Sequence, residues 1–186
     1  MGVPSAEKLA QEQERAISEG ADPKWVEQMT GGMTGVVGTM VFSEDGPTVG
    51  LRFDMDSNDV TEQCGDSHRP CREGFASIHP GAMHACGHDG HTTVGLALAE
   101  LLAKWRGELK GTVKLVFQPA EEGGGGGNEM VKDGMMERFG IAEVYGMHNR
   151  PGMAVGEFTI APGPIMGSID MFEIEIEGVG GHAAMP

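Results

Sequence analysis

Residues 111–127 read GTVKLVFQPAEEGGGGG, and the class of fold turns on them. Val113, Leu115, Val116 and Phe117 follow one another without a clean in-and-out alternation. Such a run predicts a strand covered on both faces, the sort found in α/β sheets. Two carboxylates, Glu121 and Glu122, come directly after it, followed by glycine at every position from 123 to 127. Sheets of this class hold their active sites beyond the strand ends, and glycine permits positive φ and close approach of a substrate. One carboxylate of such a pair can ligate a metal while its neighbour acts as general base. In isolation, however, adjacent glutamates on a loop are more often merely solvated.

Outward from this stretch the same pattern recurs. TVGLRFDM (48–55) reads as a second buried strand, TGVVGTMVF (34–42) as a β-branched strand before it, and EVYGMHN (143–149) as a short strand with a polar tip. HTTVGLALAELLAKW (91–105) predicts a helix apolar on most of its surface, and 128–138 another, with Asn128 as N-cap. Near the start, Leu9, Ala16, Ile17, Trp25 and Val26 predict one or two amphipathic helices, broken near Gly20 and Pro23. A polar loop fills 57–80. Strands alternating with helices predict an α/β sheet with helices on its faces. GEFTIAPG, after Pro151, predicts a strand and bend. The strict alternation from Met171 to Ile176 within SIDMFEIEIEGVG (168–180) instead predicts an antiparallel sheet with one wet face. The expected division is therefore 1–167 for the first part of one domain and 168–186 for the beginning of a second.

Chemistry concentrates in Met83-His84-Ala85-Cys86-Gly87-His88-Asp89-Gly90-His91. Three imidazoles, a thiol and a carboxylate are the donors that Zn, Mn or Co accepts. Gly87 lets the backbone turn so that Cys86 and His88 reach one point. His84 and His91 read more simply as helix-start residues, with Asp89 or Thr92 bonding the first N–H groups. Met147-His148-Asn149 places another imidazole just past a strand. Asp54 and Asp56 end a buried strand on one side, which suits Asp56 to orienting a ligand histidine or simply to capping a loop. His182, in Gly180-Gly181-His182-Ala183, reads as a turn residue on its own.

Composition closes off other functions. The net charge of −15 argues against nucleic acid, whose phosphates need a basic surface, and against an anionic membrane. The polar start lacks the apolar core of a signal peptide, and no apolar run reaches the roughly 18 residues of a membrane span. Cys64, Cys71 and Cys86 are odd in number and unevenly spaced. That predicts free thiols and a reducing cytoplasm.

Taken together, FDMDS, GAMHACGHDGHT, VFQPAEEG, GMHN and GVGGHAAMP resemble the co-catalytic metallopeptidase and amidohydrolase family of hippurate hydrolase, aminoacylases and indole-acetyl-amino-acid hydrolases. MGVPSAEKL, GGMTGVVGTM and HRPCREGFAS are similar to a narrower branch, the aminobenzoyl-glutamate hydrolase A subunits. The resemblance implies a mixed-sheet, zinc-peptidase-like α/β catalytic domain, and a smaller α+β, ferredoxin-like domain serving as lid and dimerisation element. It implies one or two divalent ions, Zn or Mn, held by Cys86, His88, Glu122 and His148, with Asp56 and Asp89 behind them. Glu121 would be the general base, and His182 would polarise the scissile carbonyl, in this family often across a dimer. The implied reaction is hydrolysis of the amide bond of an N-acyl or N-aroyl amino acid by metal-activated water. A homodimer or a partner subunit is expected. The resemblance also implies truncation at both ends, with a last ligand histidine beyond Pro186. Two other readings stand beside it: a metal-binding fragment or subunit without catalysis, and a cysteine nucleophile built on Cys86.

Overall fold

The computed structural model describes residues 3–168, 170 and 172–184. The chain divides into two compact units, Met1–Asn149 and Arg150–Pro186.

The first unit is built on a four-stranded mixed sheet. Its strands are β1 (Val36–Val41), β2 (Thr48–Asp54), β3 (Thr112–Gln118) and β4 (Glu143–Gly146), in the order β1-β3-β2-β4. β2 runs parallel to β3, from Thr48 opposite Thr112 to Asp54 opposite Gln118, and parallel to β4 on its other side. β1 is antiparallel to β3. The two central strands are the apolar runs read from the sequence, and Phe53, Leu115 and Val116 are buried in them. The parallel register has a direct consequence for the site. Segments leaving β2, β3 and β4 emerge at the same edge of the sheet, so residues far apart in sequence meet there.

Helix α4 (His88–Lys104) carries the chain from the end of β2 back to the start of β3. It starts three residues before the expected position, because Gly87 adopts φ 89° and turns the chain into the helix without a side-chain cap. Its expected apolar surface is only partly used: His88, His91 and Gly95 are buried, while Leu96 and Trp105 face solvent. Gly95 lies so close to the sheet that a Cβ there would come within 2.8 Å of both Phe53 and Phe117. Those two rings pack with centroids 5.5 Å apart.

The helix expected over 128–138 is two helices, α5 (Gly126–Lys132) and α6 (Met135–Phe139). Gly134, at φ 83°, breaks them, and Gly125 rather than Asn128 precedes the first. Val116, Met135 and Ile141 form a core cluster, with Val37, Met130, Met136 and Phe139 packed against it. At the start, α1 (Ala6–Ser18) and α2 (Pro23–Val26) flank Gly20 as expected, capped by Ser5 and Asp22. A short helix the sequence did not reveal, α3 (Arg69–Glu73), lies within the long loop. There Cys64 and Cys71 form a disulfide across a Cα separation of 5.6 Å, so the expectation of three free thiols is corrected. Cysteine parity says only that one is left over, and that one is Cys86.

In the second unit, no strand forms among the described residues of GEFTIAPG or of 168–180. Met171, where the alternation begins, and Ile169 before it lie outside the described residues. Phe172, Ile174 and Ile176 are exposed. Alternation marks which side chains would face a core, but a strand also needs neighbours for its N–H and C=O groups. Among the described residues no helix is long and apolar enough to cross a membrane.

Candidate metal centre

Four segments converge at the sheet edge. Met55 N–H still bonds Gln118 C=O at 3.0 Å, which extends the β2–β3 pairing and brings Asp56 beside the glutamate pair. At the end of β3, Ala120 takes φ 54°, a left-handed conformation that costs a non-glycine residue about 1–2 kcal/mol. Such strain concentrates at functional sites, and here it turns the chain just before Glu121 and Glu122. Asn58 bridges to Met83 and its Oδ1 accepts the Cys86 N–H at 3.1 Å, which steadies the loop entering α4. Gly87 is needed twice over: besides its positive φ, a Cβ there would come within 2.8 Å of the Asn149 side chain.

His88 is the centre of the arrangement. Its side chain is fully buried, and its Nδ1 lies 3.1 Å from Asp56 Oδ1. A carboxylate only accepts, so Nδ1 carries the proton and Nε2 presents a lone pair. Among the described residues that Nε2 has no hydrogen-bond partner, although an unsatisfied buried nitrogen costs about 1–3 kcal/mol. Asp56 Oδ2 accepts the Glu122 N–H at 2.9 Å, so one carboxylate braces both neighbours.

Donor atoms of Cys86, His88 and Glu122 all lie within 4.8 Å of one another. Glu122 Oε1 is 3.7 Å and Glu121 Oε2 3.8 Å from His88 Nε2, and Cys86 Sγ is 3.4 Å from His148 Nε2. Tetrahedral ligation at zinc bond lengths places donors roughly 3.3–3.8 Å apart. The spacing, the chemistry of the donors and the orphaned nitrogen together fit a divalent ion.

Not every residue singled out from the sequence joins this group. Asp89 is exposed in the first turn of α4 and lines a separate cavity with Glu62, His68, His79 and His84. Among the described residues its side chain bonds none of Cys86, His88, Glu122 and His148. His84 is likewise away from the cluster, lining that same cavity. His182 belongs to the second unit, where it is exposed and its Nδ1 accepts the Ala184 N–H at 3.3 Å. Conversely, His91 is buried against Asp54 rather than capping the helix. The pair Asp54 and Asp56 was the available signal: spaced by two at the end of β2, they put two carboxylates under one helix start.

Two acidic groups are shifted in opposite directions. Burial alone would raise the Asp54 carboxyl, but the hydrogen bond from His91 and the Arg52 guanidinium outweigh it and hold it below the ordinary carboxylate range. For Cys86, burial and then the nearby carboxylates, Glu122 foremost, push the thiol up to about 11. A cysteine nucleophile needs the opposite, a positive setting that stabilises thiolate. In the metal-free protein Cys86 is therefore expected to alkylate with iodoacetamide on the order of a hundredfold more slowly at neutral pH than an unperturbed thiol. Its rate should still be rising with pH at 10. A plateau below pH 8 would restore the nucleophile reading.

Peptidase family M20/M25/M40 matches residues 50–186. The chain is similar to the indole-3-acetyl-aspartic acid hydrolase of Enterobacter agglomerans and to the p-aminobenzoyl-glutamate hydrolase A subunit of Escherichia coli. Each is 40% identical over 183 residues, covering 98% of this chain and 41% of the relative. Among solved structures, a Bacillus subtilis protein described as a dinuclear metal binding peptidase from M20 family superposes with a TM-score of 0.59 at 34% identity. That match covers 84% of this chain and 40% of the other. The chain thus spans about 41% of the length of the curated relatives it matches.

Proposed function

The chain belongs to peptidase family M20/M25/M40, and from that premise we propose that it forms the metal-binding part of an amidohydrolase acting on N-acyl or N-aroyl amino acids. The observation that carries the proposal is the buried, unpartnered Nε2 of His88, set among Cys86, Glu121 and Glu122. We assign Cys86, His88, Glu122 and His148 as the donors, with Asp56 holding the His88 tautomer. Two soft or borderline donor types, thiolate and imidazole, favour Zn over Mn.

A divalent ion held there supplies Lewis-acid polarisation and acidifies water. Glu121, whose Oε2 lies 3.8 Å from His88 Nε2, takes the proton from the attacking water and returns it to the departing amine nitrogen. At 39% side-chain exposure it is open to both water and substrate. His182 donates a hydrogen bond to the carbonyl oxygen as charge develops there, a role that its Gly180-Gly181-His182-Ala183 motif supports. We assign residues 168–186 to the beginning of a second, lid-like domain, on the alternation of Phe172, Ile174 and Ile176. The names of two relatives suggest substrates: p-aminobenzoyl-glutamate first, indole-acetyl-aspartate second. One of those relatives is named as a subunit, which also supports a partner chain, with a homodimer as the alternative.

The test is a panel of N-acyl and N-aroyl amino acids offered to zinc-loaded protein at the relatives' full length, with and without chelator. Release of the free amino acid that stops on chelation is expected. Hydrolysis that persists after the metal is stripped would overturn the proposal. Zinc uptake with no hydrolysis of any member would favour a metal-binding chain without catalysis.

A further inference from the structure

Beneath the donors runs a buried polar chain that the proposed mechanism does not use. Arg52 Nη1 donates to Asp54 Oδ2 at 2.6 Å, and Arg52 Nε donates to Gln118 Oε1 at 2.8 Å. Asp54 Oδ1 lies 2.5 Å from His91 Nδ1. His91 Nε2 in turn accepts the backbone N–H of Asn149 at 2.9 Å. Asp54 is 0% and His91 1% exposed.

The tautomer follows from these contacts. Nε2 accepts, so Nδ1 carries the proton and gives it to Asp54. Both ring nitrogens are spent. His91 therefore has no lone pair for an ion, even though donor atoms of Asp54, His88, His91 and His148 lie within 4.8 Å of one another.

The contact instead falls on the residue after His148. β4 ends at Gly146, so His148 projects from a segment without ladder hydrogen bonds. The backbone of Asn149 gives that segment its support: its N–H goes to His91, and its C=O lies 2.8 Å from His148 Nδ1. With Nδ1–H donated to that carbonyl, His148 Nε2 is left free, and it faces Cys86 Sγ at 3.4 Å.

We infer that His91 is a positioning residue: braced by Asp54 and Arg52, it holds the Asn149 peptide and so aims His148 Nε2 at the metal centre. This rests on the assignment of His148 as a donor. Groups that orient a ligand from behind typically change metal affinity about 10–100-fold when removed.

The experiment is zinc binding by equilibrium dialysis to the 186-residue chain, alongside amide exchange at Asn149 in the metal-free protein. His91→Leu should weaken zinc about 10–100-fold and speed Asn149 exchange. His91→Gln, which keeps an acceptor near the place of Nε2, should recover most of both. In a His148→Ala background, His91→Leu should cost nothing further, because the two residues act through one another. Should His91→Leu fail to fold, His91→Asn keeps a donor to Asp54, places nothing at Nε2, and gives the same readouts. Wild-type zinc affinity or unchanged Asn149 exchange in His91→Leu or His91→Asn, or an additive loss in the double variant, would each overturn the inference. If His148→Ala binds zinc as the wild type does, the donor assignment falls and takes the positioning role with it. Asn149 exchange would still report whether the His91 contact exists.

Discussion

Glu121→Gln is expected to leave zinc binding within a few-fold of wild type while lowering turnover about 10²–10⁴-fold, the range that positioned general acid–base groups supply. Glutamine preserves size and can still hydrogen-bond water, but it cannot take a proton. Glu121 is also not part of the group formed by Cys86, His88 and Glu122, whose donor atoms lie within 4.8 Å of one another, so its loss should spare the ion. Glu122→Gln is the informative contrast. There the charge that helps hold the ion is removed, and zinc affinity should fall together with turnover. Turnover by p-aminobenzoyl-glutamate hydrolysis and zinc content by elemental analysis, at the relatives' full length, separate the two. If Glu121→Gln turns over normally, or if it loses zinc as Glu122→Gln does, the roles assigned to the pair are wrong.

The second large effect concerns stability. Zinc at about 100-fold above its Kd should stabilise the folded chain by about 2.7 kcal/mol. For a protein of this size that is a rise in Tm of roughly 5–11 °C, reversed by chelator. His88→Leu should abolish the rise. In the absence of metal the same variant should be close to wild type in stability. It removes an unsatisfied buried nitrogen, a gain of about 1–3 kcal/mol, and gives up the bond from Nδ1 to the Asp56 carboxylate, a loss of about 1.5–3 kcal/mol, so the two nearly offset. That combination, no metal response and no loss of metal-free stability, distinguishes a ligand from a structural histidine. A structural histidine with 0% exposure would instead destabilise on replacement with or without zinc. Calorimetry of both chains with zinc and with chelator reads the outcome; an equal zinc shift in His88→Leu would move the centre elsewhere.

Much of the site was legible because metal donors are chemically conspicuous. Cys86, His88 and Glu122 come together from motifs that announced themselves by residue type, and Asp56 lies against His88 Nδ1. Asp89 was conspicuous for the same reason, yet it faces another cavity, since successive residues in a helical turn point about 100° apart. His91 was the reverse case. In sequence it is one more imidazole near a helix start. Its contact with Asn149, 58 residues on, exists only once β4 pairs with β2.

By itself the sequence determined the four strands of the sheet, the main helices and the candidate donor types, because burial periodicity and residue chemistry are local properties. It did not determine where β4 sits, that α5 and α6 are separate helices, that Cys64 bonds Cys71, or that the alternation near 172–176 stays unpaired among the described residues. Those depend on partners distant in the chain. The parallel register of β2 with β3 and β4 is what brings residues 56, 86–91, 121–122 and 148–149 to one edge. Register arises from packing between strands, and no single strand carries it.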